Sequence, residues 1–224
     1  MTLGETFFNG EVLVAVLPLL LRGLGMTLLL GVTCIVLGTA GGLLLCLLRL
    51  YAPLPIRLIA IGYIDIFRAL PALVVLTMIY YALPFVGIRF PAFIAATLGL
   101  SLVLSAFTAE VCRAGIEAVP RGQFEAAAAL GLHFLLALRK VVLPQALKVA
   151  VPPTTSNWVS IIKDTSLASV VTIPELLKQA TDSQALMGNP TPLVVAACIY
   201  LIFLWPMVRL IGYLERRSGS ARER

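Results

Sequence analysis

The sequence predicts an all-α membrane protein with about five transmembrane helices, and three observations carry that reading. Hydrophobic residues fill 60% of the 224 positions, and mean hydropathy is +1.00. Only 12% of positions are charged, about half the roughly one-quarter usual in soluble chains. The apolar residues fall in runs of about 20, the length that crosses a hydrocarbon core of ~30 Å. With no composition shift and no internal repeat, residues 1–224 read as one transmembrane domain.

The first apolar run extends from about Gly23 to Leu48. It follows a more mixed segment, Val12–Leu21, suited to lying along the membrane interface. The others cover about Ile59–Leu83, Pro91–Ala114, Val141–Ile162 and Leu193–Leu214. Pro53, Pro55, Pro84, Pro91, Pro120, Pro190 and Pro192 punctuate the connections. Within the first run, Gly38-Thr-Ala-Gly-Gly42 has GxxxG spacing, which lets two helix backbones approach closely.

Orientation follows from the basic residues. Arg49 and Arg57, then Arg113, Arg121, Arg139, Lys140 and Lys148, then Arg209, Arg216, Arg217, Arg222 and Arg224 flank alternate ends of the runs. That bias predicts an N-terminus outside and a C-terminus inside. The net charge of +6 therefore encodes topology, and no basic stripe interleaved with aromatics points to nucleic acid. Glu5 and Glu11 stand where a cleavable signal peptide would carry basic residues, so none is expected. Cys34, Cys46, Cys112 and Cys198 lie singly in apolar runs and read as small reduced hydrophobes. His133 is the single histidine, so no metal site and no nucleophile–base set is expected, and the chain does not read as an enzyme.

Residues 118–144 form the longest stretch that is not membrane-like, and the charge bias puts them in the cytoplasm. Pro120 suits a helix start, Glu125 lies in the first turns, and Ala126–Ala129 have the strongest helix propensity. Gly131 suits a left-handed cap, after which a second helix begins and runs to Val142-Leu143-Pro144. The alanine face is small enough for a groove on another protein; a solvated connector fits the spacing equally well.

A polar stripe marks the fourth run. Asn157, Ser160 and Asp164 share a helix face, behind prolines that free backbone groups in Val151-Pro152-Pro153. With Thr165 and Ser166 they are candidates for lining a substrate path, and helix–helix hydrogen bonding is the competing use. Glu110, Arg113 and Glu117 have the spacing of a structural ion-pair ladder, and Asp65 and Arg68 that of another pair.

Several motifs in order resemble one family. Glu125-Ala126-Ala127, Gly131 and then Val141-Val142-Leu143-Pro144 resemble the EAA motif of ATP-binding-cassette (ABC) importer permeases. Ala109-Glu110 through Arg113 to Gly115-Ile116, Leu143-Pro-Gln-Ala146, Lys163-Asp164-Thr165-Ser166-Leu167 and Phe67-Arg68-Ala-Leu-Pro71 resemble the amino-acid permeases of that family. One departure stands out: the turn reads Gly131-Leu132-His133, where the family usually carries a hydroxyl that caps the next helix.

The resemblance implies a type I importer permease with the MetI-like fold, a multi-pass protein of the bacterial inner membrane. It implies a dimer of ABC ATPase subunits, a second permease subunit that is a copy or a sister chain, and an external substrate-binding protein as partners. Glu125, Ala126, Ala127, Gly131, Leu143 and Pro144 would couple to the ATPase. ATP and Mg would belong to that partner, since this chain has no GxxxxGK[ST] phosphate loop and is expected to bind no cofactor. Ile173-Pro-Glu-Leu-Leu-Lys178 and Tyr213-Leu-Glu-Arg-Arg217 resemble the polar amino-acid branch, which takes substrates of the glutamate/aspartate, glutamine, histidine or arginine type.

Overall fold

The computed structural model describes residues 6–219, with side chains to Tyr213. Glu5, Arg222, Arg224 and the side chains of Arg216 and Arg217, which entered the charge distribution, lie outside the described residues. Among the described residues there are helices and turns but no strand. In chain order they are α1 (Gly10–Tyr51), α2 (Leu54–Ala69), α3 (Ala72–Thr77), α4 (Ala92–Glu117), α5 (Arg121–Ala129), α6 (Phe134–Ala137), α7 (Leu143–Asp164), α8 (Leu176–Met187) and α9 (Thr191–Gly219). Wide π turns at Met78–Ala82 and Leu138–Val142 and 3₁₀ turns at Leu83–Val86 and Thr165–Val171 join some of them.

By length and composition, α1, α4 and α9 can each cross a membrane, and α2 with the Ala72–Val86 segment makes a fourth if that bent pair counts as one span. The expected five count α7 as well, which is a helix of 22 residues but falls short in apolar composition. The run expected at Val141–Ile162 is helical as α7, but Lys148 and the polar residues from Thr154 to Asn157 dilute its apolar surface. Pro152 and Pro153 sit inside that continuous helix, so the backbone there is not irregular as expected.

Two further boundaries differ. Val12–Leu21 does not form a separate interfacial segment; it is the beginning of the 42-residue α1. At ~1.5 Å per residue α1 is about twice the length needed to span a bilayer core. The expected second span is bent by 106° between α2 and α3. Pro71 has no amide hydrogen and sits in extended backbone at ψ 135°, so the helix cannot continue through it.

The described residues group into two compact units. The first takes α1 as far as Val36, the segment Leu70–Ser101, and Val159–Val208. Its core joins Val16 and Leu20 of α1, Leu176 and Ala180 of α8, and Ala196 of α9. Buried Glu175 caps α8 by accepting the amides of Leu177 and Lys178 at 2.8 and 2.6 Å. Thr27 of α1 accepts the amide of Leu176 at 3.1 Å, and Tyr200 of α9 donates to Glu175 at 3.1 Å. Desolvation of the buried carboxyl raises the Glu175 pKa above the carboxylate norm.

The second unit takes Leu37–Ala69, Leu102–Trp158 and the chain from Arg209. Here the GxxxG pair packs α1 on α4. A Cβ on Gly38 would meet the Leu104 side chain at 2.7 Å, and one on Gly42 would meet Thr108 Cβ at 2.5 Å. Only glycine admits that approach. Cys46, Ile64 and Ala109 form one core cluster, and Val119, Leu138, Val142 and Ala146 form another. The four cysteines are free thiols.

Candidate functional site

The loop between α4 and α7 is a helical hairpin with a defined turn. Pro120 stands at the N-cap of α5 in extended backbone, where its missing amide hydrogen is not needed. The helix ends at Leu130, and Gly131 adopts φ +77°. The amide of Gly131 donates to Ala128 at 2.9 Å and that of Leu132 to Ala127 at 3.0 Å. These two bonds form a Schellman cap, which satisfies carbonyls that a helix end otherwise leaves open.

The second arm starts without a side-chain cap. His133 is the N-cap residue of α6, with φ −67° and ψ 157°, but its side chain makes no capping bond. Three contacts hold the hairpin instead. Phe134 stacks on Phe124 of α5 with centroids 5.9 Å apart and meets Tyr51 of α1 edge-on at 5.7 Å. Gln145 of α7 donates to Gln123 of α5 at 3.2 Å.

Leu143 and Pro144 explain the wide turn at Leu138–Val142. Pro144 offers no amide, and its ring crowds the preceding helical turn. The chain relaxes by one residue, so the amide of Leu143 bonds to Leu138 in a π pattern. Val142 is fully buried, which holds this irregular turn in the core.

The helix therefore presents one face outward. Ala127 is buried, Phe124 is half-buried, and Glu125, Ala126, Ala128 and Ala129 are exposed. Glu125 has no hydrogen-bond partner among the described residues. Beyond the cap, Leu130 is 81% exposed and Leu135 67%, so the turn offers apolar surface beside a free carboxylate.

A charged knot joins α4 to α1 and α2. Glu110 accepts Arg49 at 2.9 Å and is also bonded by Arg113, which bonds Glu117 as well. Arg68 lies 3.8 Å from Glu110 and over the Phe107 ring, so the expected Asp65–Arg68 pair gives way to one with Glu110. Arg49 and Arg68 join from α1 and α2, and nothing in the spacing along α4 reveals contacts made across helices.

The path candidates divide between the two units. In the second, the Asn157 amide nitrogen is buried without a hydrogen-bond partner among the described residues, while neighbouring Trp158 donates to Thr39 at 3.0 Å. In the first, Ser160 is exposed and Asp164 half-buried. The Thr165 and Ser166 hydroxyls donate to the carbonyls of Ile162 and Lys163 at 2.6 and 2.7 Å. Both hydroxyls are thus held by their own helix end.

Comparison with known proteins identifies the family and the fold. Residues 38–220 match the family of binding-protein-dependent transport system inner membrane components. A probable amino-acid ABC transporter permease of Bacillus subtilis is 38% identical over 79% of this chain and 78% of its own. A putative glutamine transport system permease of Rickettsia bellii is 37% identical over 88% and 89%. The crystal structure of an amino acid ABC transporter with histidines superposes with TM-score 0.88 at 34% identity, covering 97% of this chain and all of that one. The MetNI methionine ABC transporter shares the fold, with TM-score 0.68 at 22% identity. The chain belongs to the binding-protein-dependent transport family, as a multi-pass, non-enzymatic permease subunit of an ABC importer.

Proposed function

We propose that this permease moves a polar amino acid into the cytoplasm, using ATP hydrolysed by partner ABC ATPase subunits that hold the nucleotide and Mg. An external binding protein delivers the substrate, and a second permease subunit completes the membrane part. The relatives support an amino-acid substrate: their names include amino-acid, glutamine, and glutamate/glutamine/aspartate/asparagine permeases. The N-terminus lies outside and the C-terminus inside, on the strength of the basic residues.

The hairpin α5–Gly131–α6 carries this reading, because it has a fixed turn, an exposed alanine face and an unpaired Glu125. Residues 118–144 thus form the coupling loop. Ala126 and the backbone turned by Gly131 seat in a groove of the ATPase, and buried Ala127 keeps α5 on its own core. Leu143 and Pro144 lead the movement into α7. Closure of the ATPase pair then reaches the membrane part as a rigid-body displacement.

Asn157, Ser160, Asp164, Thr165 and Ser166 line the substrate path in this reading. The buried, unpartnered Asn157 amide supports it, since a donor without an acceptor costs about 1–3 kcal/mol. That cost is recovered when another state of the transport cycle supplies the acceptor. The test is uptake of labelled amino acids by the full complex. Asn157→Leu and Asp164→Ala should lose uptake while the ATPase still co-purifies; loss of assembly in both would assign these residues to packing.

A further inference from the structure

Where the family usually has a hydroxyl cap, this chain has His133-Phe134, and the structure shows what stands in its place. α6 is a single turn, Phe134–Ala137, with no side-chain cap, and it runs directly into a π turn. Such a helix start has little to hold it by itself, since the first amides of a helix lack partners. Phe134 supplies the missing hold through its ring. One face stacks on Phe124 at an interplanar angle of 9°, which ties the two arms of the hairpin. Tyr51, the last residue of α1, packs edge-on at 73°.

Tyr51 stands two residues beyond Arg49, which bonds Glu110 of α4 at 2.9 Å. The carboxyl end of α1 is thus tied to α4 by charge and to the loop by aromatic contact, although α1 is remote from the loop in sequence. We propose that Tyr51, Phe124 and Phe134 form an aromatic brace that positions the coupling loop on the end of α1. ATPase movement is thereby passed to α1 as well as to α4 and α7, the helices that flank the loop. The three are positioning residues; the proposal rests on the coupling reading of residues 118–144.

The test uses the whole complex, reconstituted in liposomes with its ATPase and binding protein. Uptake of a radiolabelled amino-acid mixture and ATP hydrolysis are measured together. Tyr51→Ala and Phe134→Ala should each raise the ATP hydrolysed per amino acid imported by about two- to tenfold, the range expected for one aromatic pair. The double variant should be no worse than the more damaged single one, because both remove the same contact. Tyr51→Phe and Phe134→Tyr should restore the ratio, and the ATPase should co-purify throughout.

An unchanged ratio in Tyr51→Ala, losses that multiply in the double variant, or loss of the ATPase from Phe134→Ala would each overturn the brace. Should Phe134→Ala fail to accumulate, Tyr51→Ala decides, since it leaves the loop sequence intact. Gly131→Val in parallel separates the two readings. If it abolishes ATPase association while the ring variants are silent, only the brace fails. If it is silent too, the coupling loop fails with it.

Discussion

The amide of Leu132 donates to the carbonyl of Ala127 at 3.0 Å, closing the chain over Gly131 at φ +77°. That closure sets the direction of α6 and hence which residues of the hairpin face outward. A side chain at position 131 would have open space, since nothing lies within 4 Å of a Cβ there. The requirement for glycine is therefore conformational. Left-handed backbone costs roughly 1–2 kcal/mol in a residue with a Cβ, and asparagine tolerates it best. ATPase co-purification should fall in the order Gly131, Gly131→Asn, Gly131→Val; equal recovery of all three would show that the turn does not direct docking.

At Gly42 the requirement is steric. A Cβ there would stand 2.5 Å from Thr108 Cβ and 2.7 Å from the Ser105 carbonyl, whereas one on Gly62 meets nothing within 4 Å. Gly42→Ala should destabilise by about 1–3 kcal/mol through overpacking. Gly62→Ala should stabilise by roughly 0.5–1 kcal/mol through helix propensity. Thermal unfolding in detergent should show shifts of opposite sign.

Among the described residues Glu110 serves three guanidinium groups and Glu117 one. Their side chains are 20% and 53% exposed. Glu110→Gln should cost about 1–3 kcal/mol, the usual range for charged hydrogen bonds left without a partner. Glu117→Gln should cost less than about 1 kcal/mol, as exposed pairs do. The same melting experiment ranks them, and an equal effect would contradict a knot centred on Glu110.

Glu175 gives a pH dependence. Burial raises its pKa in the folded protein, so the folded state holds this proton more tightly than the unfolded chain does. Its contribution to stability is fully present below the unfolded carboxylate pKa and is lost as pH rises through the higher folded value. The stability of the wild type relative to Glu175→Gln should therefore decline with rising pH across that window. A difference that grows with pH would show that the capping amides and Tyr200 outweigh desolvation.

The sequence was most legible where chemistry is local. Pro120, the alanine run and Gly131 specify α5 and its cap through propensity and φ alone, and the structure has them in place. The GxxxG spacing announced close packing, but only the fold shows that its partner is the Leu104–Thr108 face of α4. Hydropathy blurred the boundaries. Every residue of Val12–Leu21 except Pro18 is apolar, so composition does not separate exposed Leu13, Val14, Leu17 and Leu19 from Val16 and Leu20, which pack on α8 and α9. The break at Leu70–Pro71 was hidden inside an apolar run that continues on both sides of it. The contacts of Tyr51, Gln145 and Arg49 could not be found from spacing, since each acts across separate helices.

The most direct test of the coupling loop is a site-specific photo-crosslinker at Ala128, on the exposed face of α5. A second is placed at Phe85, 92% exposed in the turn that the charge bias puts outside. In the complex co-expressed with its ATPase, the position 128 probe should capture the ATPase and the position 85 probe should not. Capture of the ATPase from position 85, with none from position 128, would contradict both the orientation and the coupling role of residues 118–144.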